Sequence, residues 1–296
     1  MTETTPIAAP ETVNLREMRP EDVSECARIC FEAFGGIADR HRFPRDFTSR
    51  EVAERLMQTF IGSPTIWAVV AIADERIVGS NFLHEGDPIG GVGPISVDPD
   101  HQGGGAGRKL MEAVIERGSG APGTRLLQDS FNMRSLSLYA SLGFEEREPV
   151  VLMSGRPTSG PAEGVEVRPL READLDECEA LCRTVHGFER TNELRGAMHA
   201  FAPVVAVRDG RVAAYATTVA FWPMAHAVAA TDEDMQALLR GVATLGDDPL
   251  AMLVPLRTGL FRWCLQEGLR SVKPMNLMTL GTYHEPRGAW FPSVLY

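Results

Sequence analysis

Between Ser96 and Leu110 the chain reads SVDPDHQGGGAGRKL, with glycine at positions 103, 104, 105 and 107. Ordering a glycine run is costly in backbone entropy, so its place between an apolar segment and a helical one needs a chemical reason. A strand that runs into a glycine-rich turn and then a helix presents several unpaired backbone N–H groups at the helix N-terminus. With the helix dipole behind them, they form an anion site. Glycine lets the backbone approach the anion and take φ > 0 where required. The loop therefore predicts a phosphate or pyrophosphate ligand; the alternative is a flexible surface loop. Two familiar phosphate loops do not fit. A P-loop requires Gly-Lys-Ser/Thr, whereas Gly107-Arg108-Lys109-Leu110 stands here. The dinucleotide pattern G-x-G-x-x-G, begun at Gly103 or Gly105, meets Arg108 or Leu110 where its last glycine belongs. Neither ATP nor NAD is indicated.

The six residues Gln102-Gly103-Gly104-Gly105-Ala106-Gly107 resemble the Q/R-x-x-G-x-G/A motif of the GNAT superfamily of acetyl-CoA-dependent acyltransferases. GPISVDPDH just before them is similar to that family's fourth strand with its Val-x-Pro exit. NMRSLSLYASLGF, from Asn132 to Phe144, resembles the family's second signature, N-x-x-S/A-x-x-L-Y-x-x-x-G-F. The motifs cover Gly91 to Phe144, and the strand–helix opening extends the resemblance to Leu15 through Met153. The resemblance implies acetyl-CoA as cosubstrate and no metal. The N–H groups of Gly103, Gly104, Gly105, Ala106, Gly107 and Arg108 would hold the pyrophosphate, with Gln102 shaping the turn. Pantetheine would lie between splayed fourth and fifth strands and pair with the backbone near Ile95 and Val97, while Asn132 touches the coenzyme from the far side. Gly93 and Pro94 are compatible with a bulge where regular pairing ends.

The implied chemistry is direct transfer: an amine attacks the thioester carbonyl and coenzyme A leaves as a thiolate. A backbone N–H near Ile95 to Val97 would stabilise the oxyanion, a contribution of about 3–4 kcal/mol in other enzymes. Tyr139, at the family's tyrosine position, is the expected general acid; its alternative reading is a core tyrosine beside Leu136 and Leu138. The general base is not settled by the sequence. GGVGPISV lacks the carboxylate that many relatives carry on the fourth strand. Glu85 and Asp129 are named as weak base candidates; His84, His41 and Asp46 stand nearby in the chain, Asp98 reads as a turn residue, and a water-relayed proton is an alternative.

The elements that position these residues occur twice. VNLREMRPEDVSECARICFEAFGG from Val13 lies without a gap on VEVRPLREADLDECEALCRTVHGF from Val165, with eight identities that include Cys26/Cys178 and Cys30/Cys182. Each copy reads as a strand and then an amphipathic helix. AVVAIADERIVGS and PVVAVRDGRVAAY then give each copy a hairpin. The C-x3-C spacing on helices fits buried faces better than a zinc site. Alternating helices and strands predict an α/β fold of two tandem GNAT-like domains, each a mixed, mostly antiparallel sheet flanked by helices. The expected boundaries are a tail over 1–12, the acetyl-CoA-binding domain over 13–153, a linker over 154–164, and a second domain over 165–296.

The second copy lacks the glycine loop. AHAVAA runs directly into TDEDMQALLRG, where Thr231 and Asp234 read as a helix-capping pair and Asp232, Glu233 and Asp234 would repel a pyrophosphate. Cys264 takes the place of Tyr139, and Arg257 that of Asn132. The second copy is therefore expected to be degenerate, completing the acceptor site or mimicking a dimer partner. The apolar-rich tail NLMTLGTYHEPRGAWFPSVLY reads as strands packed in a core or on the first domain.

A net charge of −11 argues against a general role on nucleic acid or anionic membrane, and no apolar run approaches the ~20 residues of a membrane span. Five cysteines and a polar N-terminus without a secretory signal fit a reducing cytoplasm. The expected protein is an N-acetyltransferase acting on a small-molecule or peptide amine, as a monomer with a pseudo-dimeric domain pair or as a homodimer. The alternative is a coenzyme A-binding sensor or scaffold without turnover.

Overall fold

The computed structural model describes residues 12–296. The first half contains β1 (Asn14–Glu17), α1 (Val23–His41), α2 (Arg50–Ile61), β2 (Ile66–Ala73), β3 (Arg76–His84), β4 (Gly90–Val92), β5 (Ser96–Val97), α3 (Ala106–Arg117), β6 (Gly123–Asp129), α4 (Met133–Ser141) and β7 (Glu145–Gly155). The second follows that order, with one strand in place of β4 and β5: β8 (Val165–Pro169), α5 (Leu175–His186), α6 (Thr191–Ala200), β9 (Val204–Arg208), β10 (Arg211–Ala216), β11 (Ala227–Ala229), α7 (Asp232–Val242), β12 (Leu250–Pro255), α8 (Gly259–Gln266) and β13 (Arg270–Gly281). It adds β14 (Ala289–Phe291) at the end.

The repeat extends to individual hydrogen bonds. Arg16 donates to both Asp22 carboxylate oxygens at 2.6 and 2.8 Å, and Arg168 donates to Asp174 at 2.7 and 2.8 Å. The same aspartates accept from the backbone N–H of Arg19 at 2.7 Å and Arg171 at 2.8 Å. Each pair thus ties a strand to the start of its helix. The hairpins β2–β3 and β9–β10 turn through Asp74–Glu75 and Asp209–Gly210, all four residues at positive φ. Such left-handed two-residue turns match the twist of the strands they join. Cys26 and Cys30 lie buried where α1 meets α2, β2 and β3, and Cys178 and Cys182 are buried in the second half. Burial pushes the Cys26 thiol up to about 12 and the Cys182 thiol to about 11, which leaves both protonated.

Among the described residues the halves do not keep separate sheets. One sheet runs in the order β1-β2-β3-β4-β6-β13-β7-β12, with β5 on β3, and a second runs β14-β11-β10-β9-β8. β13 inserts antiparallel between β6 and β7, with Leu277 opposite Leu127 on one side and Glu148 on the other. β7 in turn pairs with β12 of the second half, from Gly155 opposite Leu250 to Val150 opposite Pro255. Each half therefore receives the last long strand of the other. Ser154 and Gly155, expected in the linker, continue β7, and the loop beyond is held down. The backbone N–H groups of Thr158 and Ser159 donate to Glu267 at 2.9 and 2.8 Å. Because β13 carries core residues of both halves, Leu277→Ala should cost about 2–5 kcal/mol and shift a single unfolding transition as a whole. Denaturant titration followed by fluorescence and by circular dichroism checks this; two separate transitions would contradict the shared core.

Candidate active site

The glycine turn lies between β5 and α3. Gln102 to Gly105 are exposed, whereas Ala106 is buried against the core. Gly103 and Gly105 have φ of +100° and +92°, and a Cβ built on either meets nothing within 4 Å. The first helical bond of α3 runs from the Lys109 N–H to the Gly105 carbonyl at 3.1 Å. The N–H groups of Ala106, Gly107 and Arg108 thus have no partner within the helix, which is the donor set an anion requires. Gln102 braces the turn, donating to the Val97 carbonyl at 3.2 Å and accepting from Arg134 at 2.7 Å. Asp98 accepts from the Asp100 N–H at 3.0 Å and from Arg28 at 2.7 Å, in keeping with a turn residue.

β4 and β6 pair in parallel only at Gly90 opposite Thr124 and Gly91 opposite Arg125. Beyond Gly93, at φ +128°, β5 pairs with β3 alone, and the edge of β6 from Leu126 to Asp129 faces a gap. Ile95 and Val97 flank this gap, and Val97 and Leu138 lie on either side of Gly107. Asn132 caps α4 and accepts from the Ser135 N–H at 3.3 Å. Tyr139, on the next turns of α4, is 6% exposed and packs with Phe144. Burial, and secondarily the charge of Asp129, raises its phenol above the ordinary range, so the proton is retained at neutral pH.

The structure separates the two weak base candidates. Glu85 lies beyond the end of β3 and is clamped by Arg117, the last residue of α3, at 2.6 and 2.8 Å. That ion pair holds the carboxyl low and places it one helix length, about 18 Å, from the glycine turn. His84 is buried, and burial depresses it to about 4. Asp129, in contrast, ends β6 at the open gap. Its carboxylate lies 2.7 Å from the Lys273 ammonium, which also donates to Asp46 at 2.6 Å and lies 5.0 Å from the Trp222 ring. His41 and Phe43 pack on Phe131 at 5.2 and 4.3 Å, forming an aromatic rim next to this cluster. Lys273 and Trp222 come from the second half and were not reached from the sequence. The available signal was rarity: Lys109 and Lys273 are the chain's two lysines, and Lys273 stands inside a strand.

Comparison with known proteins matches residues 64–146 to the acetyltransferase (GNAT) domain. Residues 64–146 are thus similar in sequence to the GNAT domain. Curated relatives include mycothiol acetyltransferases from a Nocardioides species, 30% identical over 156 residues (47% of this chain, 52% of that protein), and from Thermobifida fusca, 40% identical over 116 residues (36% of each). The chain spans about half the length of the Nocardioides relative or less of such proteins. Among solved structures, an acetyltransferase of Pyrococcus horikoshii aligns with TM-score 0.73 at 16% identity, over 98% of this chain and 97% of that one. A tandem GNAT protein of the clavulanic acid pathway aligns with TM-score 0.57 at 11% identity, over 91% and 98%. These likenesses give the whole chain a tandem GNAT fold. No described helix is long and apolar enough to cross a membrane.

The second half differs at the positions that correspond to the glycine turn, Asn132 and Tyr139. Thr231 caps α7 by accepting from the Asp234 N–H at 3.1 Å, with no glycine turn before it. Cys264 is fully buried, and Arg257 lies 3.9 Å from Glu148. β14 pairs antiparallel with β11 and packs against β12, so the chain's own strand lies where the first half has a gap.

Lys273 pairs with two carboxylates at once, the buried Asp129 and the largely buried Asp46. Lys273→Met leaves Asp46 and Asp129 unpaired and should destabilise the protein by about 3–5 kcal/mol at neutral pH. Burial already raises the Asp46 carboxyl above its unfolded value. Its protonation therefore favours the folded state below the unfolded pKa, and that contribution is lost as pH rises through the folded one. The variant's deficit should shrink as pH falls from 7 towards the carboxylate range. Chemical denaturation across pH measures this; a deficit independent of pH would remove the electrostatic account.

Proposed function

We propose that the chain transfers an acetyl group from acetyl-CoA directly to a primary amine. The observation that carries this reading is the open glycine turn at the N-terminus of α3 standing beside the gap between β5 and β6. The free N–H groups of residues 103 to 108 would bind the coenzyme pyrophosphate, and the backbone of Ile95 and Val97 would pair with pantetheine. The amine attacks the thioester carbonyl, and Tyr139, kept protonated by burial, returns a proton to the departing thiolate. Asp129 stands at the mouth of the gap, where a carboxylate would receive the amine's proton directly or through water.

Coenzyme A release from acetyl-CoA, assayed over polyamines, aminoglycosides, peptide N-termini and an amine of the mycothiol class, to which the relatives' names point, tests the reading. Free thiol reports turnover; mass gain replaces it for acceptors that carry a thiol. The Lys273 ion pair on Asp129 favours a second reading, a coenzyme A-binding sensor, because the carboxylate is already engaged by an ammonium of the chain itself. Tight acetyl-CoA binding without turnover on any amine would select the sensor. Tyr139→Phe should lower turnover about 10²-fold or more while sparing binding; unchanged turnover would remove the acid role. Gly105→Glu forces a side chain onto a positive-φ position and adds a negative charge, so acetyl-CoA binding by calorimetry should be lost. Retained binding would place the pyrophosphate elsewhere.

A further inference from the structure

Arg125 stands in the middle of β6 with 0% exposure, yet none of its three side-chain nitrogens meets a hydrogen-bond acceptor. Buried charges are paired as a rule, because an unpartnered ion loses its hydration for nothing in return. The strand register explains its direction. Leu126 packs with α3 and α4, so Arg125, Leu127 and Asp129 point to the opposite face, towards the second half. There the guanidinium carbon lies 3.9 Å from the Tyr296 ring centroid, 5.0 Å from Phe188 and 5.1 Å from Tyr283.

The charged groups around it are already matched. Arg190 is ion-paired with Glu193 and donates to Ser293 at 3.0 Å, while Ser293 donates to Glu193 at 2.6 Å. Asp87 accepts the N–H groups of Asn192 and Glu193, each at 3.0 Å. Glu148 faces Arg257 at 3.9 Å. Burial keeps His84 and His186 neutral. Arg125 is thus a single unmatched positive charge inside an aromatic cage.

We propose that Arg125, enclosed by Phe188, Tyr283 and Tyr296, binds the carboxylate of a small organic monoanion between the two halves. One unmatched charge calls for a monoanion. The planar guanidinium fork matches a carboxylate with two parallel bonds, and the rings cover the apolar part of the ligand. The Tyr296 ring, nearest of the three, is the group a ligand must displace or stack upon. Two sources share this chemistry: a separate carboxylate effector, or the amine acceptor itself if it also carries a carboxylate. The second source rests on the transfer reading; the site does not. Arg125 and Asp129 are about 13 Å apart along one face of β6, a span that a short extended peptide covers.

Thermal unfolding of the full chain with benzoate and butyrate, against benzamide and butyramide at fixed ionic strength, tests the site. The carboxylates should raise the melting temperature saturably and the amides should not. Arg125→Met should lose this response and melt above the wild type without ligand, because it removes an unpartnered buried charge. Arg125→Lys, which keeps the charge but not the fork, should bind benzoate at least tenfold more weakly. Equal effects of acids and amides, a full response in Arg125→Met, or a ligand-free Arg125→Met that melts below the wild type would each overturn the proposal. In turnover assays, a raised KM confined to carboxylate-bearing amines identifies the acceptor as the source. A change in turnover on adding benzoate, without competition against the amine, identifies an effector. Carboxylate-specific stabilisation in a chain that acetylates no amine would leave the site standing and remove the transfer reading.

Discussion

A β-strand leaves a row of backbone N–H and C=O groups on each side, and every one that is buried must find a partner. In this chain that requirement is met by exchange. Without β13, β6 and β7 would face each other across an unfilled slot, each with an open edge. Without β7, β12 would lose the partner it pairs with from Leu250 to Pro255. The consecutive order β6-β13-β7-β12 is a pseudo-two-fold arrangement in which each half closes the other's sheet. The exchange also delivers side chains. β13 runs antiparallel to β6, so Met275 faces Asp129 across the ladder and Lys273, two residues earlier, reaches Asp129 from the second half. A buried carboxylate on one repeat is thereby neutralised by the other.

The two halves begin alike and diverge at the gap between their central strands. In the first, β5 leaves β6 and a turn with two positive-φ glycines opens into α3. In the second, Thr231 caps α7 with its own hydroxyl and Asp232, Glu233 and Asp234 follow, satisfying the helix end with protein groups. β14 then lies along β11. An antiparallel strand makes the same kind of backbone contacts that an extended pantetheine would make in the other half. One copy keeps its donors available, and the other satisfies its helix end with its own cap and fills the gap with its own strand.

The features that could be read from the sequence are those set by local chemistry. The two hairpins and the Thr231 cap each involve residues close together in the chain. What could not be read depends on long-range pairing. A strand exchange has the same alternating pattern as a strand kept within its own repeat, so β13 carried no sign of its destination. Lys273 and Trp222 meet Asp46 and Asp129 only because of that exchange. The burial of Arg125 among Phe188, Tyr283 and Tyr296 follows from residues more than sixty positions away. Glu85 illustrates the reverse case: near the site in sequence terms, it is held away by Arg117.

Charge along the face of β6 that points to the second half is not uniform. At the end of the strand Asp46 and Asp129 enclose Lys273, two carboxylates to one ammonium, leaving one net negative charge where an amine would arrive. Four residues back on the same face, Arg125 contributes one positive charge with no counterpart. In a low-dielectric interior such a pair of opposite excesses acts over the distance between them far more strongly than it would in water. A zwitterion bound as proposed would be oriented in one sense only, ammonium towards Asp129 and carboxylate towards Arg125. The reverse orientation would place like charges together at both ends. The strand that carries both residues is also the one whose edge borders the gap, so the same backbone that would guide the thioester would fix the direction from which the amine approaches.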